Sequence, residues 1–375
     1  LTARATLAMP HTADAMTGRT PGHATDRPSV LVARRVFPET LERLRQHFEV
    51  EANTTDEVWS PAELAHRLRG KDGVLTTGSE RISAELLAAC PQLSIVANMA
   101  VGFNNFDVPA LTAHRVLGTN TPDVLTETTA DFGFALLLAT ARRMAESERF
   151  LRAGLWNRWS VDMFAGTEVH GSTLGILGMG RIGQGIARRG HHGFGMRVIY
   201  HNRSRLDAAT EAACGATLVS KTELLEQADH LVLVLPYTAQ NHHAIGGAEL
   251  SLMKPTATLI NIARGGIVDD AALAQALQAG RIAAAGLDVF EGEPRVHPDL
   301  LSVPNVVLTP HIASATLATR QAMANLAADN LIAWLTEGRA LTPVNPEVLP
   351  LVQPAVLSAA VASRPAAPPP PSHVG

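Results

Sequence analysis

Cysteine is nearly missing: in 375 residues only Cys90 and Cys214 occur, too few for a disulfide framework and in no metal-ligand spacing. A reducing cytoplasm is the expected compartment. Lysine is almost as rare, with Lys71, Lys221 and Lys254 standing among 31 cationic side chains that are otherwise arginine. Those 31 cations face 35 carboxylates, a formal charge of −4, so no basic surplus points to a nucleic-acid or membrane partner. Aromatics make up 4% and charged residues 18%, yet hydrophobics reach 46%, which excludes a disordered polymer. No apolar run approaches the ~20 residues that cross a bilayer. The nearest, Leu231–Leu235 and Phe132–Ala141, read as core elements.

The two ends lack any helical or alternating period. Residues 1–28 hold no apolar segment of signal-peptide kind. Residues 348–375 carry seven of the 23 prolines, including Pro368–Pro371. Both are expected to be disordered tails. The rest, about 320 residues, suits two domains at roughly 150 residues each.

Between the tails short apolar strands alternate with helical stretches. Val30–Arg34, Gly73–Thr76 and Ser94–Asn98 read as strands, with helices over Pro38–His47 and Ser83–Ala89. Further strands are expected at Leu174–Leu177, Arg197–Tyr200, Leu231–Leu235, Thr258–Ile262, Ala284–Val289 and Val306–Leu308. Segments such as Asp269–Gln278 between them have helical spacing and stop at a glycine, here Gly280. This alternation means βαβ units: an α/β fold with doubly wound parallel sheets.

After Leu174–Leu177 comes Gly178-Met-Gly180-Arg181-Ile182-Gly183, then the helical run Gln184–His191. A bare G-x-G-x-x-G is weak; between a strand and a helix it is a dinucleotide fingerprint. Gly178 permits the tight turn, Gly180 the approach of a pyrophosphate, and Gly183 the packing of helix on sheet. About 20 residues on, where NAD binders place an acid on the ribose 2′-hydroxyl, stands Asn202-Arg203-Ser204-Arg205 with no carboxylate. Two arginines there suit a 2′-phosphate, which favours NADPH over NADH while leaving NAD open.

Three later segments carry polar residues where strands of an open sheet end: Asn261-Ile262-Ala263-Arg264-Gly265, Asp288-Val-Phe-Glu291-Gly-Glu293-Pro294, and Pro310-His311-Ile-Ala313-Ser314. With Val101-Gly102-Phe-Asn-Asn-Phe-Asp107 and the glycine loop, the chain over residues 29–347 resembles the D-isomer-specific 2-hydroxyacid dehydrogenase family. Val124-Leu-Thr-Glu-Thr, Met179 and Leu287-Asp-Val-Phe-Glu are similar to its bacterial glyoxylate/hydroxypyruvate and 2-ketogluconate reductases.

The resemblance implies reduction of a small 2-oxo acid to a D-2-hydroxy acid. An NADP-binding Rossmann domain, about 127–314, is inserted into a discontinuous flavodoxin-like substrate domain, about 29–126 and 315–347. One helix over Thr126–Gly154 and another over Leu317–Leu335 would join them. Arg264 would grip the substrate carboxylate with its planar fork, and His311 would act as acid/base. Glu293, rather than Glu291, would orient the imidazole. Backbone amides at Val101 and Gly102 would complete the carboxylate site, and Asp288 would accept from the nicotinamide carboxamide. Leu235, Pro236, Ile262, Ala263 and Ala313 would line the cofactor. Relatives form homodimers through the segment holding Trp156 and Trp159, and in some a tryptophan reaches the neighbouring active site, which makes Trp159 the candidate. Met99, Phe103 and Ser314 are candidate pocket residues.

The remaining motifs read blandly. His191-His192 and His242-His243 have no carboxylate or cysteine at metal spacing, so no metal is expected. Two other readings stay open: a 3-phosphoglycerate or phosphite dehydrogenase, or a dinucleotide-sensing binding protein like the family's corepressors.

Overall fold

The computed structural model describes residues 27–352; the disorder expected for residues 1–26 and 353–375 falls outside them. At its inner margins the tail expectation is corrected. The Pro28 carbonyl accepts from the Glu49 amide, and Val348 and Val352 are buried in the first core with Leu349 against it. Three apolar side chains outweigh the proline content of that stretch because a core face is there to receive them.

The first sheet contains β1 (Ser29–Val32), β2 (Glu49–Ala52), β3 (Gly73–Thr76), β4 (Ile95–Asn98) and β5 (Leu117–Thr119), all parallel, in the order β2-β1-β3-β4-β5. β3 and β4 are buried along their whole length, in keeping with the apolar run that precedes the closing Thr76 and Asn98. The second sheet contains β6 (Thr173–Leu177), β7 (Arg197–His201), β8 (Ala216–Leu218), β9 (His230–Leu233), β10 (Thr258–Asn261), β11 (Ala284–Leu287) and β12 (Val306–Leu308). Its order, β12-β11-β10-β9-β6-β7-β8, is the doubly wound arrangement with one strand added. The chain reverses direction across this sheet between β6 and β9, and ligands of such sheets bind outside the strand ends at that point.

Two helices tie the sheets together. Thr126–Ala141 leaves the first domain and packs over β10, β11 and β12. Leu317–Glu337 returns to cover β3 and β4 and buries Trp334 completely. Where they cross, the hydroxyls of Thr128 and Thr319 are 2.6 Å apart.

The single helix expected over Thr126–Gly154 is corrected to two, Thr126–Ala141 and Met144–Arg152. Arg143 breaks it with a φ of 52° and holds Glu146 of the next turn through a forked ion pair. The second helix buries none of its residues against the chain. No helix among the described residues is long and apolar enough to cross a membrane.

Candidate active site

The glycine loop sits at the reversal point of the second sheet. Gly178 has a φ of 99°, and a Cβ there would lie 2.8 Å from the Leu235 nitrogen, so the loop is pressed against the Leu235–Pro236 segment that follows β9. A Cβ on Gly180 would meet no protein atom within 4 Å. That open space lies over the N-terminus of the helix Arg181–Arg188, whose free N–H groups suit a phosphate. The residues present therefore fit a dinucleotide pyrophosphate. Ile182 packs into the core below, while Arg181 pairs with Asp123 at 2.8 Å.

At the end of β7 the Asn202 Oδ1 accepts from the Met179 amide at 2.7 Å, so Asn202 shapes the glycine loop. Arg203 and Ser204 are exposed, and neither side chain has a protein hydrogen-bond partner among the described residues. Arg205, expected with Arg203 beside a 2′-phosphate, is already paired within the fold. Its Nε and Nη2 clasp Glu211, which also accepts from Tyr200 at 2.7 Å. The bonds from Arg205 and Tyr200 hold the Glu211 carboxyl below its ordinary value despite burial.

Arg264 follows β10, and its backbone is shaped by Asn261, whose side chain accepts from the Ala263 amide at 3.0 Å. Its Nη1 donates to the Ala263 carbonyl at 2.7 Å. Burial lowers the guanidinium from its usual value, with Glu293 opposing; an arginine side chain is not deprotonated in proteins. Nη2 reaches across to the first domain: a Cβ on Gly102 would lie 1.7 Å from it. The Val101 and Gly102 carbonyls accept from Asn120 and Asn98 at 2.8 and 2.9 Å. Their amides donate to no protein acceptor among the described residues. Two free N–H groups thus stand beside a cation, a cradle for a carboxylate.

His311 Nδ1 lies 2.8 Å from Glu293 Oε2, and the other Glu293 oxygen accepts from the Phe290 amide at 2.9 Å. Burial alone pushes the Glu293 carboxyl up; the bond and charge of His311, with help from Phe290 and Arg264, outweigh it and leave the group below its usual range. His311 Nε2 has no hydrogen-bond partner among the described residues. The residue has a φ of 54°, a conformation that costs a non-glycine residue energy and that clusters at functional sites. Glu291 turns away, its Oε2 2.9 Å from His243 Nε2.

Asp288, the expected carboxamide acceptor, follows β11. It is fully buried, accepts from Thr309 and Ile312 on one oxygen at 2.7 and 2.8 Å, and from the Ala313 amide on the other at 2.9 Å. Burial raises its carboxyl above the ordinary value although these bonds oppose it. What Asp288 visibly does is fold the loop that presents His311. Ile262, Ala263 and Ala313 are buried around these strand ends, Phe103 is exposed, Ser314 is part-exposed, and Met99 packs against the first core.

Comparison with known proteins bears on this geometry. The family model described as "D-isomer specific 2-hydroxyacid dehydrogenase, NAD binding domain" matches residues 134–313. A glyoxylate reductase of Thermococcus onnurineus is 48% identical over 332 residues, 88% of this chain and 99% of the relative. The chain belongs to the D-isomer specific 2-hydroxyacid dehydrogenase family. Another glyoxylate reductase, from Aeropyrum pernix, is also 48% identical, over 88% of this chain and 99% of its own. Among solved structures, a D-isomer specific 2-hydroxyacid dehydrogenase from a Polaromonas species superposes with a TM-score of 0.79 at 35% identity, covering 85% of this chain and 99% of that one. An NADPH-dependent glyoxylate/hydroxypyruvate reductase from Sinorhizobium meliloti, solved with NADP and malonate, gives 0.75 at 41%, covering 85% and 97%. The protein is thus an oxidoreductase with two parallel-sheet α/β domains, one of them a Rossmann-type NAD-binding domain.

Asn98 and Asn120, which hold the Val101–Gly102 turn, were not singled out by the sequence reading; each follows or ends a strand, which was the available signal. Asn104 was also missed: its Nδ2 donates to the Tyr237 carbonyl at 2.8 Å, joining the two domains beside the site. Trp156 and Trp159 lie on the surface, Trp159 being 74% exposed, with Met144, Leu151, Leu155 and Val161 on the same arm.

Proposed function

We propose that the protein reduces glyoxylate and related small 2-oxo acids, hydroxypyruvate and 2-ketogluconate among them, to D-2-hydroxy acids with NADPH. The observation that carries this is the meeting of the Arg264 guanidinium with Gly102 across the domains, close to the His311–Glu293 pair. The substrate carboxylate sits on Arg264 and the two free amides, which leaves its carbonyl oxygen for His311. A nicotinamide dinucleotide, when bound, supplies the hydride to the carbonyl carbon. His311 gives the Nε2 proton to the oxygen as charge develops there, and Glu293 favours the imidazolium before that transfer. His311 then regains a proton from water. Arg203 and Ser204 take the ribose 2′-phosphate, in keeping with the NADPH dependence named for the Sinorhizobium relative.

The apolar arm bearing Trp159 is the contact face of a homodimer, and Trp159 extends toward the partner's substrate site. So large a set of exposed apolar side chains on one arm marks an interaction surface.

The test is a substrate panel of glyoxylate, hydroxypyruvate, 2-ketogluconate and 3-phosphohydroxypyruvate with NADPH and NADH. Glyoxylate with NADPH is expected to give the highest kcat/KM among the pairs with glyoxylate, and His311→Gln to lower kcat on the order of 10²- to 10⁴-fold. NADPH binding without turnover of any 2-oxo acid would replace the reading with a dinucleotide sensor. A preference for 3-phosphohydroxypyruvate would move the substrate assignment.

A further inference from the structure

The chain carries an adjacent histidine pair, His242-His243, with no metal-ligating partner nearby in sequence. The fold supplies one. Glu291, 48 residues beyond His243, brings Oε2 to 2.9 Å from His243 Nε2, and its Oε1 lies 4.0 Å from His242 Nε2. One ligand atom from each of the three residues falls within 4.8 Å of the others. The two imidazoles are stacked, with centroids 3.8 Å apart and planes inclined by 23°. Both Nε2 atoms thereby face the same carboxylate.

We propose that His242, His243 and Glu291 bind a divalent transition-metal ion of the zinc class, outside the reduction site. Two imidazole nitrogens and one carboxylate oxygen are a donor set such ions favour, with solvent completing the fourth position at this exposed surface. Ligand atoms around a tetrahedral zinc stand about 3.3 Å apart when each bond is near 2.0 Å. The observed spacings of 2.9 and 4.0 Å bracket that value.

One of the other ring nitrogens is hydrogen-bonded in the manner of a metal-bound histidine, and the other faces a carboxylate beyond hydrogen-bond distance. His242 Nδ1 is 3.2 Å from the Tyr237 hydroxyl, and His243 Nδ1 is 3.8 Å from Asp269 Oδ2. These contacts leave Nε2 of each ring as the ligand atom. His243 also holds a φ of 50°, an unfavourable conformation fixed by its amide donating to the Gly266 carbonyl at 2.7 Å. The backbone thus accepts strain to place this ring.

The ligands come from two segments, one after β9 and one after β11. The second continues through Gly292 into Glu293, the residue that holds His311. A bound ion would therefore fasten the loop carrying Glu293 to the segment carrying Tyr237, against which the first domain rests through Asn104.

Titration of the chelator-treated full chain with Co²⁺, followed by its visible d–d absorption and by displacement with Zn²⁺, tests this. One equivalent is expected to bind with a four- or five-coordinate spectrum. Saturating Zn²⁺ is expected to raise Tm by several degrees. His243→Ala and Glu291→Gln should abolish both signals; Tyr237→Phe and Asp269→Asn should weaken Co²⁺ binding roughly 10- to 100-fold. His192→Gln, in the pair without a carboxylate partner, should change neither. No saturable Co²⁺ binding would overturn the proposal, as would binding that survives Glu291→Gln and His243→Ala or is lost in His192→Gln. Turnover of 2-oxo acids plays no part in these readouts, so the metal site and the reductase reading fail or stand separately.

Discussion

Gly102→Ala isolates the carboxylate cradle. Alanine keeps the amide that would bind substrate, so the one group added is a methyl. Built on the existing backbone, that methyl carbon lies 1.7 Å from Arg264 Nη2, 2.6 Å from Cζ and 3.0 Å from Nε. Ordinary contact between such atoms is about 3.5 Å, so the guanidinium must retreat by roughly 2 Å. The moving group is the end of a flexible side chain, and the fold loses little: Tm is expected to stay within about 2 °C. The chemistry has less latitude. A misplacement of about 1 Å costs on the order of 10² in rate, so kcat/KM for glyoxylate is expected to fall about 10²- to 10³-fold, or about 3–4 kcal/mol. Steady-state kinetics on the parent, Gly102→Ala, Arg264→Ala and the double variant provide the check. If the methyl acts through Arg264, it costs almost nothing once Arg264 is gone, and the double variant matches Arg264→Ala. A Gly102→Ala enzyme within threefold of the parent, or losses that simply add, would refute the placement of Arg264 against this loop.

Glu293→Gln removes the charge that holds the His311 imidazole and should lower kcat for reduction roughly 10-fold or more. Because the Glu293 carboxyl lies below the ordinary carboxylate range, its hold on His311 persists through mildly acid pH and is lost only as pH falls through that depressed value; the acid limb of a pH–rate profile measures this. Arg203→Ala should raise KM for NADPH by about 10-fold or more, the scale of a charge-assisted bond, and leave KM for NADH unchanged. Arg205→Ala should affect NADPH less and lower Tm instead, because it strips Glu211 of its cation. If the proposed homodimer forms, Trp159→Ala should raise KM for glyoxylate without changing the mass found by analytical ultracentrifugation; an unchanged KM would confine the residue to interface packing.

The buried strands were legible because burial on both faces favours apolar runs: Gly73–Thr76 falls where the sequence places it, and Thr258–Asn261 within a residue of it. β2, Glu-Val-Glu-Ala at the sheet edge, was not, since a partly exposed strand needs no such run. The short helix Val108–Ala113 likewise has too few turns to show a period. In the site, Arg264, Glu293 and His311 lay in segments with recognisable neighbours, whereas the state of each side chain did not. Arg203 and Arg205 look equivalent in sequence, and only the fold of Ala208–Cys214 puts Glu211 under one of them. The same limit hid Glu291 from His243: pairs separated by several elements leave no local pattern.

The division of labour between the domains has a mechanical consequence. Arg264, Glu293 and His311 all stand beyond strands of the second sheet, while the amides of Val101 and Gly102, unpaired among the described residues, belong to the first. Neither domain alone holds both the cation and the neutral donors that a 2-oxo acid carboxylate requires. On the proposed reduction, binding energy from that carboxylate is realised in full only when the domains are together. The Asn104–Tyr237 bond adds a neutral link at the same edge. On this reading the carboxylate does more than orient the carbonyl: it bridges the domains, and interactions remote from the reacting carbon help assemble the site that reduces it.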